Sequence, residues 1–180
     1  MKHWIPLVLV ALVTAPAPAL AALSVTGTPK VAFDATGTVM DMQGISKVVK
    51  LADDGQQLVF TVPMATVSTD NALRDDHMLN KYVEVAKFPE VSVTLPKSAL
   101  KLPAADGEKL KGSATGTFTA RGISQPVTVS YSAKKSGAVT KLEANFNFDV
   151  STHGIAIPVY MGVTIDPKMK ASATVELIDG

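Results

Sequence analysis

The sequence contains no cysteine. Disulfides, thiol catalysis and cysteine-based metal sites are thereby excluded, and packing alone must hold the fold. There are only three histidines, and no two of them stand at a metal-ligand spacing, whereas zinc sites use three or four protein ligands. Phosphate-cradling glycine loops and the nucleophile elbow G-x-S-x-G do not occur. One sign of charge never dominates: 17 basic residues face 16 acidic ones, which argues against a nucleic-acid partner. Long apolar runs are missing everywhere except at the start.

That start has a recognisable order. Met1-Lys2-His3 is basic, Trp4 to Val13 is almost wholly apolar, and Ala19-Leu20-Ala21 has the small-x-small form of a cleavage site. Residues 1–21 are expected to be a secretory signal peptide, and residues 22–180 a single domain. The apolar run is shorter than the roughly 20 residues of a spanning helix, so no integral span is expected after cleavage. Loss of Lys2 leaves equal numbers of basic and acidic residues. A domain of this size buries roughly 70% of its unfolded surface, enough for a core without staples.

The mature part is dominated by period-two alternation, which marks half-buried strands. Leu142, Ala144, Phe146, Phe148 and Val150 alternate with Lys141, Glu143, Asn145, Asn147 and Asp149. Similar sets are Met169 to Leu177, Val91 to Leu95, Leu58 to Met64, Val127 to Tyr131 and Ala114 to Ala120. Near the start come Val31, Phe33, Ala35 and Val39. Turn signals such as Asp53-Asp54-Gly55 and Ala105-Asp106-Gly107 separate the runs. The reading is all-β: an antiparallel barrel of about eight strands, closed because open edges invite aggregation. Its inner faces mix Phe33, Phe60, Phe118, Phe146 and Phe148 with small residues such as Ala144 and Ala173. Alternation leaves open whether these interlock into a solid core or enclose a lumen.

One segment breaks the alternation. Thr69 to Leu79 suits a short helix near residues 70–80, with Thr69 or Asp70 as N-cap and Leu73 and His77 on one face. It gathers Arg74, Asp75, Asp76 and His77. An exposed polar turn explains this cluster more simply than a metal site. Arg74 fits first a local ion pair with Asp75, since surface ion pairs are common, and second a bidentate grip on a phosphate or carboxylate head group. Asp149, Ser151 and His153 would share one face of a strand, but pointing in parallel they make a poor nucleophile–base–orienter set. No catalytic residue, metal or cofactor is assigned.

Three motifs in order resemble one family. Ser68-Thr69-Asp70-Asn71-Ala72-Leu73-Arg74-Asp75-Asp76-His77-Met78-Leu79, with Tyr82 and Lys87-Phe88-Pro89-Glu90-Val91, is similar to the T-G-n-x-x-R-D-x-H-L … F/Y-P signature of YceI-like proteins. Gly116 to Val127 resembles the family's G-x-L-T-x-H-G-v-t-x-P-V hairpin, and Phe146 to Ile155 its late F-x-i-x-x-x-d-F-G-i stretch. Arg121 stands where the family often has His, Asp70 where Gly is usual, and Thr152-His153 where Asp-Phe is common. The resemblance implies a periplasmic, lipocalin-like barrel that binds a polyisoprenoid or another long-chain amphiphile and is not an enzyme. Phe33, Phe60, Val62, Val93, Phe118, Phe146 and Phe148 would line the apolar lumen. Arg74, Asp75, His77 and Tyr82 would meet the polar head or brace the helix. The alternative is a small hydrolase on the same barrel using Asp75, His77 or His153. Pairing of two barrels into a homodimer is left open.

Overall fold

The computed structural model describes residues 22–157, 159–160 and 163–179. The expected signal peptide lies outside the described residues. Ten strands form an antiparallel sheet: β1 (Leu23–Gly37), β2 (Met42–Ser46), β3 (Lys50–Asp53), β4 (Gln57–Pro63), β5 (Glu90–Pro96), β6 (Lys109–Ala120), β7 (Ile123–Ser136), β8 (Val139–Asp149), β9 (Val159–Tyr160) and β10 (Val163–Asp179). The excess over the expected eight is made up by short pieces, five residues in β2 and two in β9, too brief to show a period.

Strand order is β2-β1-β10-β8-β7-β6-β5-β4-β3, with β9 beside β10. The sheet curls, as lipocalin-like sheets do, until β3 comes against β1, and residues 47–49 alone separate β2 from β3 in the chain. Most of the wall is hydrogen-bonded ladder. The seam between the first half of β1 and β3 is not, and it is held at its two ends instead. At one end, Ile45 and Ser68 exchange backbone hydrogen bonds of 2.8 and 2.9 Å, tying β2 to the segment after β4. At the other, the Asp53 carboxylate accepts from the Leu23 N–H at 2.7 Å, the Lys97 Nζ at 2.6 Å and the Gly55 N–H at 2.9 Å.

β1 is longer than its alternation suggested. Its register against β10 breaks between Thr26 and Lys30, so a clean period begins only at Val31. Val39 falls beyond the strand, in the turn to β2, and is 74% exposed rather than inward. On β6, the inward Gly116 is required by close approach. A Cβ there would come within 2.2 Å of the Thr94 carbonyl oxygen and 2.5 Å of Leu95. Gly116→Val should therefore break the β5–β6 contact and lower the thermal midpoint by more than 5 °C, since a 1 kcal/mol loss alone moves it about 2–4 °C at this chain length.

The segment 64–89 caps one end of the barrel. It holds a helix, α1 (Ala72–Asp76), which continues as a wider π-helical turn over His77–Val83. The helical stretch thus runs past Leu79, where the expected helix ended. Asn71, not Thr69 or Asp70, is the N-cap, its side chain accepting the Arg74 N–H at 3.0 Å. Asp70 instead takes a left-handed conformation, φ 59°, which accounts for glycine being usual at this position. Leu73 and His77 do share a face, the outward one. The inward side supplies Met64, Val67 and Val83 to the core, with Met78, Leu79 and Val85 packed against it.

Candidate ligand-binding site

Cross-strand register brings residues far apart in sequence to the same level of the barrel. Phe60, Val93 and Phe118 pair in turn across β4, β5 and β6. On the opposite wall Phe146, Ala171 and Phe33 pair across β8, β10 and β1. Next to that row lies a smaller one, Tyr131, Ala144, Ala173 and Val31, across β7, β8, β10 and β1. The rings and the alanines do not fill the interior. They enclose a cavity of about 90 Å³, several times what a single water needs.

Its wall is almost entirely hydrocarbon. Six of the seven expected lumen residues border it: Phe33, Phe60, Val62, Val93, Phe118 and Phe146. Val31, Val49, Leu95, Leu142, Ala144 and Ala173 join them. The Tyr131 hydroxyl is taken up by the Lys101 N–H at 2.8 Å, so this liner presents its ring. Phe148 does not border the cavity. Its ring packs against others of the core instead, 4.8 Å from Phe118 and 5.8 Å from Phe146.

The four expected polar residues do not line the cavity. Arg74 donates from Nε to Thr69 Oγ1 at 2.7 Å and from a terminal nitrogen to the Thr69 carbonyl at 2.6 Å. Asp75 accepts from Ser68 Oγ at 2.7 Å and from the Thr69 N–H at 2.8 Å. Their groups are thus spent locally, bracing α1 against the strand-like segment that precedes it. Burial on its own would raise the Asp75 carboxyl, but the hydrogen bonds from Thr69 and Ser68 and the Arg74 charge outweigh it and hold the group below its ordinary value. Asp75→Ala is expected to cost about 1–3 kcal/mol, read as a lower urea midpoint. His77 is exposed, and Tyr82 is half-buried with Lys81 Nζ 5.5 Å from its ring centre.

A second cluster sits under the capped end. Arg121 and Gly122 form the tight β6–β7 turn, both at positive φ, as a two-residue hairpin loop requires. From that turn Arg121 bonds Glu84 Oε1 at 2.5 Å and the Gly154 carbonyl, and its guanidinium lies 5.5 Å from the Phe88 ring centre. Beside it, His153 is 1% exposed. Its ring stands edge-on to Phe118 at 5.0 Å and 6.3 Å from Phe148. Residues 150–153 form a 3-10 turn rather than the expected strand. In it Ser151 Oγ donates to Asp149 Oδ1 at 2.5 Å, while His153 faces the phenylalanines. A Ser–His hydrogen bond is not made among the described residues. The sequence signal for this second cluster was the pair of departures at Arg121 and His153; Arg121 was given no role, and His153 only that of a candidate hydrolase residue.

Burial pushes the His153 imidazole down, against a weaker upward pull from Asp149. The folded protein thus resists a proton that the unfolded chain takes up as pH falls below its ordinary value of 6.5. Stability contributed by this group is complete above that value and declines as pH falls from it toward the depressed folded value. Urea midpoints at pH 7.5 and 5.0 should differ less in His153→Leu than in the native protein.

Taken together, the fold and the cavity define a lipocalin-like antiparallel barrel with an apolar interior. Residues 17–177 match the family model of the YceI-like domain, and the chain belongs to that family. Among solved structures it is similar to a polyisoprenoid binding domain from Saccharophagus degradans implicated in plant cell wall breakdown. That likeness has 13% identity, covers 89% of this chain and 99% of that one, and gives a TM-score of 0.73. It is also similar to BcnA of Burkholderia cenocepacia, with 14% identity, 82% and 95% coverage and a TM-score of 0.65. Both likenesses are of fold. No curated protein matches it in sequence. Among the described residues, no helix is long and apolar enough to cross a membrane, and no group of three or more potential ligands could hold a metal ion.

Proposed function

We propose that this protein is an exported carrier or store for a long-chain apolar or amphiphilic lipid of polyisoprenoid type, held in the barrel and not chemically altered. The observation that carries this reading is the internal cavity whose wall is made of phenylalanine, valine, leucine and alanine side chains. Each methylene moved from water into such a wall contributes about 0.8 kcal/mol, so a long chain gains affinity from length alone. The solved polyisoprenoid binding domain with the same fold supports it. The N-terminal basic, apolar and small-residue order supports export to the periplasm.

The resting cavity holds only part of a long chain, so loading requires the walls to part. The β1–β3 seam, which lacks a ladder and borders the cavity liner Val49, is the wall with the fewest hydrogen bonds to break. Native mass spectrometry of the protein purified under mild conditions tests the reading. A mass excess that organic extraction converts to a prenyl or other long-chain lipid is expected. A bare mass and a lipid-free extract would overturn it.

A further inference from the structure

Among the described residues, three buried side-chain polar atoms lack a hydrogen-bond partner: Arg121 Nε and both ring nitrogens of His153, two residues linked through the Arg121 bond to the carbonyl of Gly154, next in the chain to His153. Buried polar groups are nearly always paired, because leaving one unpaired costs about 1–3 kcal/mol. Three together at one place are therefore a concentrated cost. Phe118 connects this place to the lumen: it borders the cavity and also stands edge-on to His153 at 5.0 Å.

We propose that His153 and Arg121 form the polar anchor of the lumen, a site for the uncharged, oxygen-bearing head of the bound chain, an alcohol or a carbonyl. The inference rests on the carrier reading and gives the ligand its polar end. Phe118 turns aside as the head enters, and the chain lies back along the phenylalanine rows.

The electrostatics select an uncharged head. Arg121 is paired with Glu84 at 2.5 Å, a carboxylate that also holds the exposed Lys87 at 2.8 Å, and one of its terminal nitrogens is held by the Gly154 carbonyl. Burial keeps His153 neutral at neutral pH, against the weaker pull of the Asp149 carboxylate. A phosphate would have to displace Glu84 from Arg121 to gain a cation and would add its charge to the field of the Asp149 carboxylate. A neutral imidazole offers one donor and one acceptor, and the Arg Nε–H adds a second donor. A hydroxyl uses a donor and the acceptor, and a carbonyl uses two donors. Arg74, by contrast, has no part in this site: it does not border the cavity, and its Nε and one terminal nitrogen bond Thr69.

The test compares three probes with the same prenyl chain, farnesene, farnesol and farnesyl phosphate, by isothermal titration of delipidated full-length protein. The native protein is expected to bind farnesol about tenfold more tightly than farnesene, the equivalent of about one hydrogen bond, and farnesyl phosphate no better than farnesol. His153→Leu should abolish the preference for farnesol and leave farnesene affinity unchanged. His153→Gln, which keeps a donor and an acceptor, should retain part of it. An undiminished preference in His153→Leu, or farnesyl phosphate binding more tightly than farnesol, overturns the anchor. Equal binding of farnesol and farnesene by the native protein overturns it while the carrier reading stands. Failure of farnesene itself to bind removes both.

Discussion

Asp53→Ala is expected to destabilise the fold by about 3–5 kcal/mol, the loss seen when one partner of a buried ion pair is removed. The Asp53 side chain is 1% exposed and that of Lys97 19%, so solvent does little to screen the pair. One carboxylate joins three elements: the first residue of β1, the end of β3 and the turn after β5. Without it the Leu23 N–H and the Lys97 ammonium lose their shared acceptor, and the seam loses its tie at that end. Amide exchange should accelerate first over 23–26 and 50–53, with the β6–β7 and β8–β10 ladders still protected. If loading runs through the seam, bound lipid should also exchange faster. Uniform acceleration across all strands would show that Asp53 stabilises the whole molecule and not the seam.

The same carboxylate also sets an acid limit. Burial tends to raise it, but the Leu23 N–H, Lys97 and the Gly55 N–H together bring it below the ordinary 3.8. Its contribution is therefore present above the unfolded value and is lost as pH falls through the lower folded one. That window lies well below the one set by His153, so the two groups are separable in an acid titration of stability.

Ala144→Phe is expected to abolish lipid retention while leaving the barrel folded. Ala144 and Ala173 face each other across β8 and β10 and both border the cavity. A phenyl ring at this place occupies the space where the chain would lie. Displacing about four methylenes forfeits roughly 3 kcal/mol, or more than a hundredfold in affinity. Because the added ring enters existing space, overpacking should cost no more than about 1–3 kcal/mol, and circular dichroism should stay native. Lipid co-purifying at native levels with a folded Ala144→Phe protein would exclude the cavity as the binding place.

Phe33, Phe60, Val62, Val93, Phe118 and Phe146 were legible as inward residues because strand alternation is local. A side chain's face is set by its own backbone and immediate neighbours. The α1 region was legible for the same reason, as a break in that period, though its π-helical continuation to Val83 was not, since nothing local marks a change of hydrogen-bond step. The reversal at the polar cluster is of another kind. Arg74 and Asp75 look like site residues in a list of side chains, and only the contacts with Ser68 and Thr69 show their groups spent on bracing. Phe148 alternates like Phe146, yet does not border the cavity, because its ring packs against Phe33, Phe118 and His153 instead.

By itself, then, the sequence determined the class of fold, the inward faces and the neutral, cysteine-free character of the domain, all carried by short-range periodicity and composition. Tertiary structure alone decided which strands lie side by side, and with them the ring and alanine rows, the Asp53 seam and the bond of Arg121 to the Gly154 carbonyl beside His153. These join residues from 13 to over 140 positions apart, and pairing over the longer of those distances depends on the energy of the whole sheet, which no local pattern encodes.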